Sequence, residues 1–457
     1  MVNIRVKDIL LATGGRLLSG KEETILTHIS IDSRTMKGND LFVPIIGEKV
    51  DAHNFINQAL EQGAVAVLTS RHDTSDSQKA FIRVADTKKA LQAIGSYYRR
   101  LLNLPLIGIT GSVGKTTTRE MISCALSASY RVYKTPGNSN SQVGVPIALS
   151  EITPEDEIGV IELGMSEPGE LTVITKIANI QMAVITNVGI THIEQLGSRE
   201  NIYKEKLTIQ DGLLEGGTLF LNGDDELLKN TKAKKGCKTI YYGTGSHCDY
   251  RAENVHLEEG FPVFTAVHGE NKVPVRLSVM GNHNVLNAMV SLAVAVECKI
   301  PMEKAVDALR TFTGFKNRQQ IYETNDLTVI DDTYNASPVS MKAGLEVLNS
   351  MKKAKRRIAV LADMKELGEG ARSYHYEIGE YIAAHPVYEV VTLGELAGEI
   401  ARAVRELAPH IQVLEFMEQS SLLSYLKKEL QEGDCVLFKG SNSMKLGQIA
   451  NQFHSVL

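Results

Sequence analysis

Residues 104–120 read LPLIGITGSVGKTTTRE, and the spacing of Gly111, Gly114, Lys115 and Thr116 suits the cradling of phosphate. A glycine-rich turn between a strand and a helix lets backbone N–H groups point inward at phosphate oxygens, and the helix N-terminus adds a favourable dipole. Lys115 would reach the outer phosphates of a nucleotide, and the Thr116 hydroxyl would be offered to Mg²⁺. The usual phosphate-loop pattern needs a first glycine at position 109, where Ile109 stands; here the glycines fall at 108, 111 and 114. A magnesium ion on a nucleotide also takes carboxylate oxygen, which makes Glu162, at the end of the run VIEL, the natural second ligand. A buried strand-end glutamate with no task would be costly, so the competing reading is a surface carboxylate that caps the next loop. His192 by itself specifies no metal site.

These residues need a frame. LIGIT, EIGVIEL, MAVITNV and TLFLN are short, branched and unbroken apolar runs, the pattern of strands buried on both faces of a parallel sheet. Each stops at polar residues: Thr110, Glu162, Asn187 with His192, and Asn222 with Asp224. Ligands of open parallel sheets sit beyond the carboxyl ends of the strands, so these stops are expected to converge on one crevice. TTREMISCALSA supplies the helix behind the loop, with Met121, Ile122, Ala125 and Leu126 on its buried side.

Further along, HNVLNAMVSLAVAVE and MEKAVDALRTF read as helices ahead of the linker TGFKNR, and LTVIDD, RIAVLADM, YEVVTLG and CVLFKGS as four more strands. Before the loop, ILTHISIDSR, DLFVPII and VAVLTS are β-type runs, with AHNFINQALEQGA helical between the last two. With Pro105 as a break, three α/β domains are expected, at 1–103, 104–317 and 318–457. The length of 457 residues agrees with about three domains.

Composition excludes several classes. Apolar residues make up 43% and charged residues 23%, near the averages for globular proteins. No run approaches the roughly 18 apolar residues of a membrane span, and MVNIRVKDILLATGGRLLSGKEE mixes charge and glycine too early for a signal peptide, so a cytoplasmic protein without membrane contact is expected. The five cysteines lie far apart with no C-x-x-C pair, which supports neither a disulfide framework nor a zinc site. A net charge of -5 offers no basic field for nucleic acid, and the clusters KAKKGCK and MKKAKRR read as solvated surface.

GITGSVGKTTTRE, ELGMSEPGE, TNVGITHIEQLGS, LNGDD and GNHNVLNA together resemble the Mur ligases, ATP-dependent amide-forming enzymes of peptidoglycan precursor synthesis. DSRTMKGNDLFVPIIGEKVDAHNFI, DDTYNASPVSM and ADMKELGE resemble the member that joins D-alanyl-D-alanine to UDP-N-acetylmuramoyl-tripeptide through an acyl phosphate. The resemblance implies a UDP-substrate-binding first domain, a central ATP-binding P-loop domain and a Rossmann-like last domain that takes the dipeptide. It implies that Gly111, Ser112, Gly114, Lys115, Thr116 and Thr117 hold the phosphates of ATP, and that Thr116 and Glu162 hold a first Mg²⁺. His192 would ligate a second Mg²⁺ with a carbamylated Lys206. An unmodified lysine beside two Mg²⁺ ions would be electrostatically wrong, and Lys204 is the rival position.

Asn222 and Asn287, with Asp224 and His283, lie in the stretches around the adenine side. Arg318 and Asp332 would close over ATP. Ser33, Arg34, Asp51 and His53 would face the uridine-diphosphate end of the acceptor, with Asn138, Asn140, Asn335 and Ser337 along the rest of the substrates. Ala52 and Asn442 depart from the family pattern. A monomer is expected. The alternatives are a ligase of the same superfamily, either the enzyme that adds the third residue or a folylpolyglutamate synthase, and a P-loop nucleotide switch. DDTYNASP and ADMKELG argue against the first two, and the absence of an N-K-x-D motif argues against the third.

Overall fold

Four sheets organise the chain in the computed structural model, which describes residues 1–75, 77–324 and 326–454. The largest has nine strands, and the strand Leu106–Thr110 lies inside it between Ile158–Glu162 and Ile180–Ile185, parallel to both. From Leu106–Thr110 the chain first builds outward on one side, to Val132–Lys134 and Ile158–Glu162. It then crosses to the other side, to Ile180–Ile185, Leu213–Asn222 and Lys238–Gly243. The reversal puts a topological switch point at the carboxyl end of Leu106–Thr110, where the phosphate loop begins.

The parallel strands are buried on both faces because helices cover both. The helix Lys115–Leu126 buries Met121, Ile122, Ala125 and Leu126, as its spacing predicts, and packs against the helix His283–Glu297. The latter is apolar almost all round and is buried accordingly. On the opposite face the helices Gly144–Glu151 and Glu170–Ala178 cover Leu106, Ile161 and Ile185.

Three strands at the far edge, Tyr250–Glu258, Phe261–His268 and Asn271–Arg276, pair antiparallel among themselves and are absent from the sequence expectations. They alternate buried and exposed residues instead of forming unbroken apolar runs, which suits an antiparallel edge with one wet face.

The last sheet has six strands where four were expected. Leu327–Asp332, Asp434–Lys439, Arg357–Ala362, Glu389–Leu393 and Gln412–Phe416 are parallel in that order, with Gln320–Glu323 antiparallel at one edge. A five-stranded sheet, from Arg16–Ser19 to Ala80–Arg83, and a two-stranded ribbon occupy the first part of the chain. AHNFINQALEQGA is split into a 3₁₀ turn, Ala52–Phe55, and a short helix, Ile56–Glu61. Among the described residues, no helix is long and apolar enough to cross a membrane.

Candidate active site

Glycine makes the phosphate loop possible. Gly111 has φ of 149°, and a Cβ there would lie 1.8 Å from Thr186 Oγ1; Gly114, with φ of 86°, starts the helix Lys115–Leu126. The Gly189 N–H donates to Ser112 Oγ at 2.8 Å and the Val113 N–H to Asn187 Oδ1 at 3.0 Å, which ties the loop to the segment after the neighbouring strand. Lys115 Nζ donates back to the Gly111 carbonyl at 2.8 Å. Burial pulls the Lys115 ammonium below the usual lysine range, Glu162 opposes that, and Arg318 adds to it. A buried cation held only by a backbone carbonyl is poised to exchange that partner for an anion, since charge-assisted bonds are roughly twice as strong.

Glu162 is 2% exposed, so it is no surface carboxylate. Thr116 Oγ1 donates to it at 3.0 Å and Asn140 Nδ2 at 2.9 Å, while Arg119 pairs with it at 3.3 Å. Arg119, itself 1% exposed, also donates to Glu120 at 2.7 Å and to the Gly137 carbonyl at 2.8 Å. The threonine hydroxyl beside a carboxylate is a hard-oxygen pair of the kind Mg²⁺ takes.

His192 follows the strand Ile180–Ile185 and has φ of 64°. Its Nδ1 lies 2.7 Å from Glu366 Oε2, a close contact that is too poorly aligned to satisfy the ring nitrogen. Lys206, on the helix Arg199–Leu207, is 1% exposed; burial first, then repulsion from Lys115, pushes it well below the usual lysine range. Lys204 is exposed and borders a separate small hollow with Pro168 and Leu196.

The opposite wall comes from the last sheet. Arg318 Nη2 donates to Thr116 Oγ1 at 3.1 Å, and its guanidinium lies 3.7 Å from the centre of the Tyr334 ring. Asp332 Oδ2 accepts from the buried Lys439 Nζ at 2.6 Å, and the Asn335 carbonyl accepts from the same ammonium at 3.2 Å. The Ser337 side chain caps the helix Pro338–Ser350.

Between the two walls lies a cleft of about 2280 Å³. Ser112, Gly114, Lys115, Thr116, Thr117, Asn138, Asn140, Glu162, His192, Asn222, Asn287, Arg318, Asp332, Asn335 and Ser337 all border it. Gly111 and Lys206 lie behind its wall. Asn222 bridges the Thr186 carbonyl and the Asp224 N–H, while Asn287 joins Thr118 to Asn284.

The structure does not bring Ser33, Arg34, Asp51 and His53 to this cleft. Ser33 donates to Gln58, and the His53 ring joins Asp51 to the Ser70 N–H. Arg34 pairs with Asp32 and projects outward, 78% exposed. Sequence reading missed Arg119, Tyr334, Glu366 and Lys439. A charged residue inside a buried helix pattern was the available signal for Arg119; the other three gave none.

The charge balance of the cleft identifies its ligand class. Of the cations that border the cleft, Lys439 is buried and paired with Asp332, while the half-buried Lys115 and Arg318 share the single carboxylate Glu162. Uncompensated buried charge is unfavourable, so an anionic ligand with several oxygens is the natural complement.

Comparison with known proteins agrees. Three family profiles match in succession: the Mur ligase family catalytic domain over residues 25–99, the Mur ligase middle domain over 109–295, and the Mur ligase glutamate ligase domain over 317–442. The UDP-N-acetylmuramoyl-tripeptide–D-alanyl-D-alanine ligase of Bacillus subtilis strain 168 is 38% identical over 452 residues, covering 98% of each chain. MurF from Acinetobacter baumannii superposes with a TM-score of 0.89 at 29% identity over 99% of this chain and 98% of that one. The MurF ligase from Thermotoga maritima in complex with ADP gives 0.81 at 25% identity over 95% and 99%. Matched by all three profiles in order, and aligned along nearly its full length with a curated relative, the chain belongs to the Mur ligase family.

Proposed function

We infer that the protein is an ATP-dependent ligase that joins D-alanyl-D-alanine to UDP-N-acetylmuramoyl-tripeptide, with release of ADP and phosphate. The Bacillus subtilis relative carries that activity in its name, and the Thermotoga MurF holds ADP. One observation carries the reading: one cleft sets a glycine-built loop and the cations Lys115 and Arg318 against the Thr116–Glu162 pair, with two sheets as its walls.

Amide formation from a carboxylate in water is uphill, so the carboxylate must first be activated. The γ-phosphoryl group leaves ADP as its bond to the terminal carboxylate of the tripeptide forms. The dipeptide amine then attacks the carbonyl carbon, and phosphate departs with the carboxylate oxygen. Lys115 releases the Gly111 carbonyl to neutralise the outer phosphates, and Arg318 does so from the opposite wall. Asn222 and Asn287 serve the adenine side, and Asp332 the ribose.

Thr116 and Glu162, a hydroxyl beside a carboxylate, would hold a first Mg²⁺, and His192 with a carbamylated Lys206 would hold a second. Bound Mg²⁺ supplies charge neutralisation among oxygens that otherwise repel. Lys206 suits carbamylation because burial favours its neutral amine, the form that adds carbon dioxide, and the added carboxylate would remove its repulsion with Lys115. In this reading residues 1–103 hold the uridine-diphosphate end through Arg34, residues 104–317 hold ATP, and residues 318–457 present the dipeptide near Asn335 and Ser337. The protein acts as a cytoplasmic monomer.

The test is an assay of ADP formation and product mass with each substrate omitted in turn. ADP should form only when tripeptide and dipeptide are both present, and the product should weigh their sum less one water. Steady ATP turnover with neither substrate would favour a nucleotide switch, and ligation of a single amino acid in place of the dipeptide would reassign the enzyme within its family.

A further inference from the structure

His192 and Glu366 come from different sheets, and both adopt the left-handed backbone region, with φ of 64° and 63°. For residues other than glycine this conformation is strained, and such strain persists only where the surroundings over-determine it. Here the two residues face each other at 2.7 Å. Their neighbours fix the approach: a Cβ at Gly368 would lie 3.5 Å from Glu194 Cα, and Ile190 packs among the apolar residues of the last sheet's core. As an ion pair the contact is worth little, because Glu366 is 49% exposed and the geometry leaves His192 Nδ1 unsatisfied. Stability does not explain two strained residues meeting across a cleft.

We propose that Glu366 is a positioning residue for His192: its carboxylate, carried in by the last sheet to 2.7 Å from Nδ1, is poised to accept the Nδ1–H bond once the ring rotates, and so to hold Nε2 toward the cation side of the cleft. A carboxylate behind a ligating histidine fixes its tautomer and raises its basicity. Approach of the last sheet is then part of building the second cation position, which ties arrival of the dipeptide-bearing wall to activation chemistry on the opposite wall. The inference rests on the assignment of His192 to a second metal in the reading above.

The experiment follows Mn²⁺ binding to the full-length protein by electron paramagnetic resonance, with ADP and bicarbonate present, in wild type, E366A, E366Q and K353A. Lys353 pairs with Glu259 across the same two walls at the exposed rim of the cleft and bonds to none of the residues assigned to nucleotide or metal, and so reports on contact between the walls alone. Wild type should bind two Mn²⁺ ions. E366A should weaken only the second by about 10–100-fold, the usual cost of losing an outer-shell partner. E366Q, which keeps an acceptor, should lose less, and K353A should match wild type. Two ions bound by E366A with wild-type affinity, or an equal loss in K353A, overturns the positioning role and leaves the function untouched. A wild-type protein that binds a single Mn²⁺ removes the two-ion reading itself. Should E366A fail to fold, unchanged affinity in E366Q, which loses the charge, overturns the role.

Discussion

Arg119 shows how far residue-scale reasoning from sequence reaches. The phosphate loop is legible because its chemistry is local: glycine spacing, a lysine and a threonine within six positions. Besides the adjacent Glu120, the partners of Arg119 lie 18 and 43 positions away, at Gly137 and Glu162, so a charge inside a buried helix pattern was the one local sign of its role. Its removal would leave Glu120 buried with only the half-exposed Lys134 to offset it, and would take from Glu162 its one direct ion pair. Breaking a buried pair on one side typically costs about 3–5 kcal/mol. Arg119→Ala should therefore lower unfolding stability by about that amount in urea titrations, and Arg119→Lys, which keeps the charge but not the fork, by less. A loss below about 1 kcal/mol for the alanine variant would mean that Glu162 does not depend on Arg119 for its fixed position.

Some elements with an unbroken apolar signature match their sequence runs end to end, whereas TLFLN starts five residues inside its strand, Leu213–Asn222. The strand Leu106–Thr110 and the helix His283–Glu297 coincide with LIGIT and HNVLNAMVSLAVAVE. The alternating edge strands were not read, since half of each faces water and resembles loop in composition. The first residue of that apolar helix carries a consequence for pH. His283 is pushed down to about 4, mainly by burial and further by Lys439, against the opposing pulls of Asp332 and a bond from Gln319. Its place at a helix N-terminus also disfavours the imidazolium. Its folded pKa lies below the unfolded value of about 6.5, so the unfolded chain binds the extra proton first as pH falls. Stability should drop between about pH 6.5 and pH 4, by about 2 kcal/mol from this group. Unfolding midpoints of wild type and His283→Gln compared at pH 7.5 and pH 5 isolate the effect. Parallel losses in the two proteins would show that the imidazole is not held neutral in the fold.

At the scale of the molecule, chain length and punctuation led to an expectation of three α/β domains, but not to how the four sheets are placed against one another. Arg318 and Thr116 meet although 202 positions apart, and no local pattern encodes such a pairing. The contacts that close the cleft are few and mostly polar: Arg318 with Thr116, His192 with Glu366, Asn282 with Glu346 at 2.8 Å, and Lys353 with Glu259 at 3.2 Å. The last two lie on exposed surface, where a hydrogen bond such as Asn282–Glu346 competes with water and an ion pair such as Lys353–Glu259 is weak and readily screened. Small polar interfaces between domains normally permit relative motion, whereas the cations of this cleft repel one another until an anion arrives. Salt and nucleotide should therefore act in opposite directions on the same equilibrium. In small-angle scattering the ligand-free protein should show a larger radius of gyration in 1 M salt, where the screening length is about 3 Å, than at low ionic strength. A non-hydrolysable ATP analogue with Mg²⁺ should reverse the expansion, because its phosphates bridge Lys115 and Arg318 from the two walls. If scattering is the same in all three conditions, apolar contacts such as those of Ile190 and Met280 hold the walls together, and closure cannot be what admits the dipeptide.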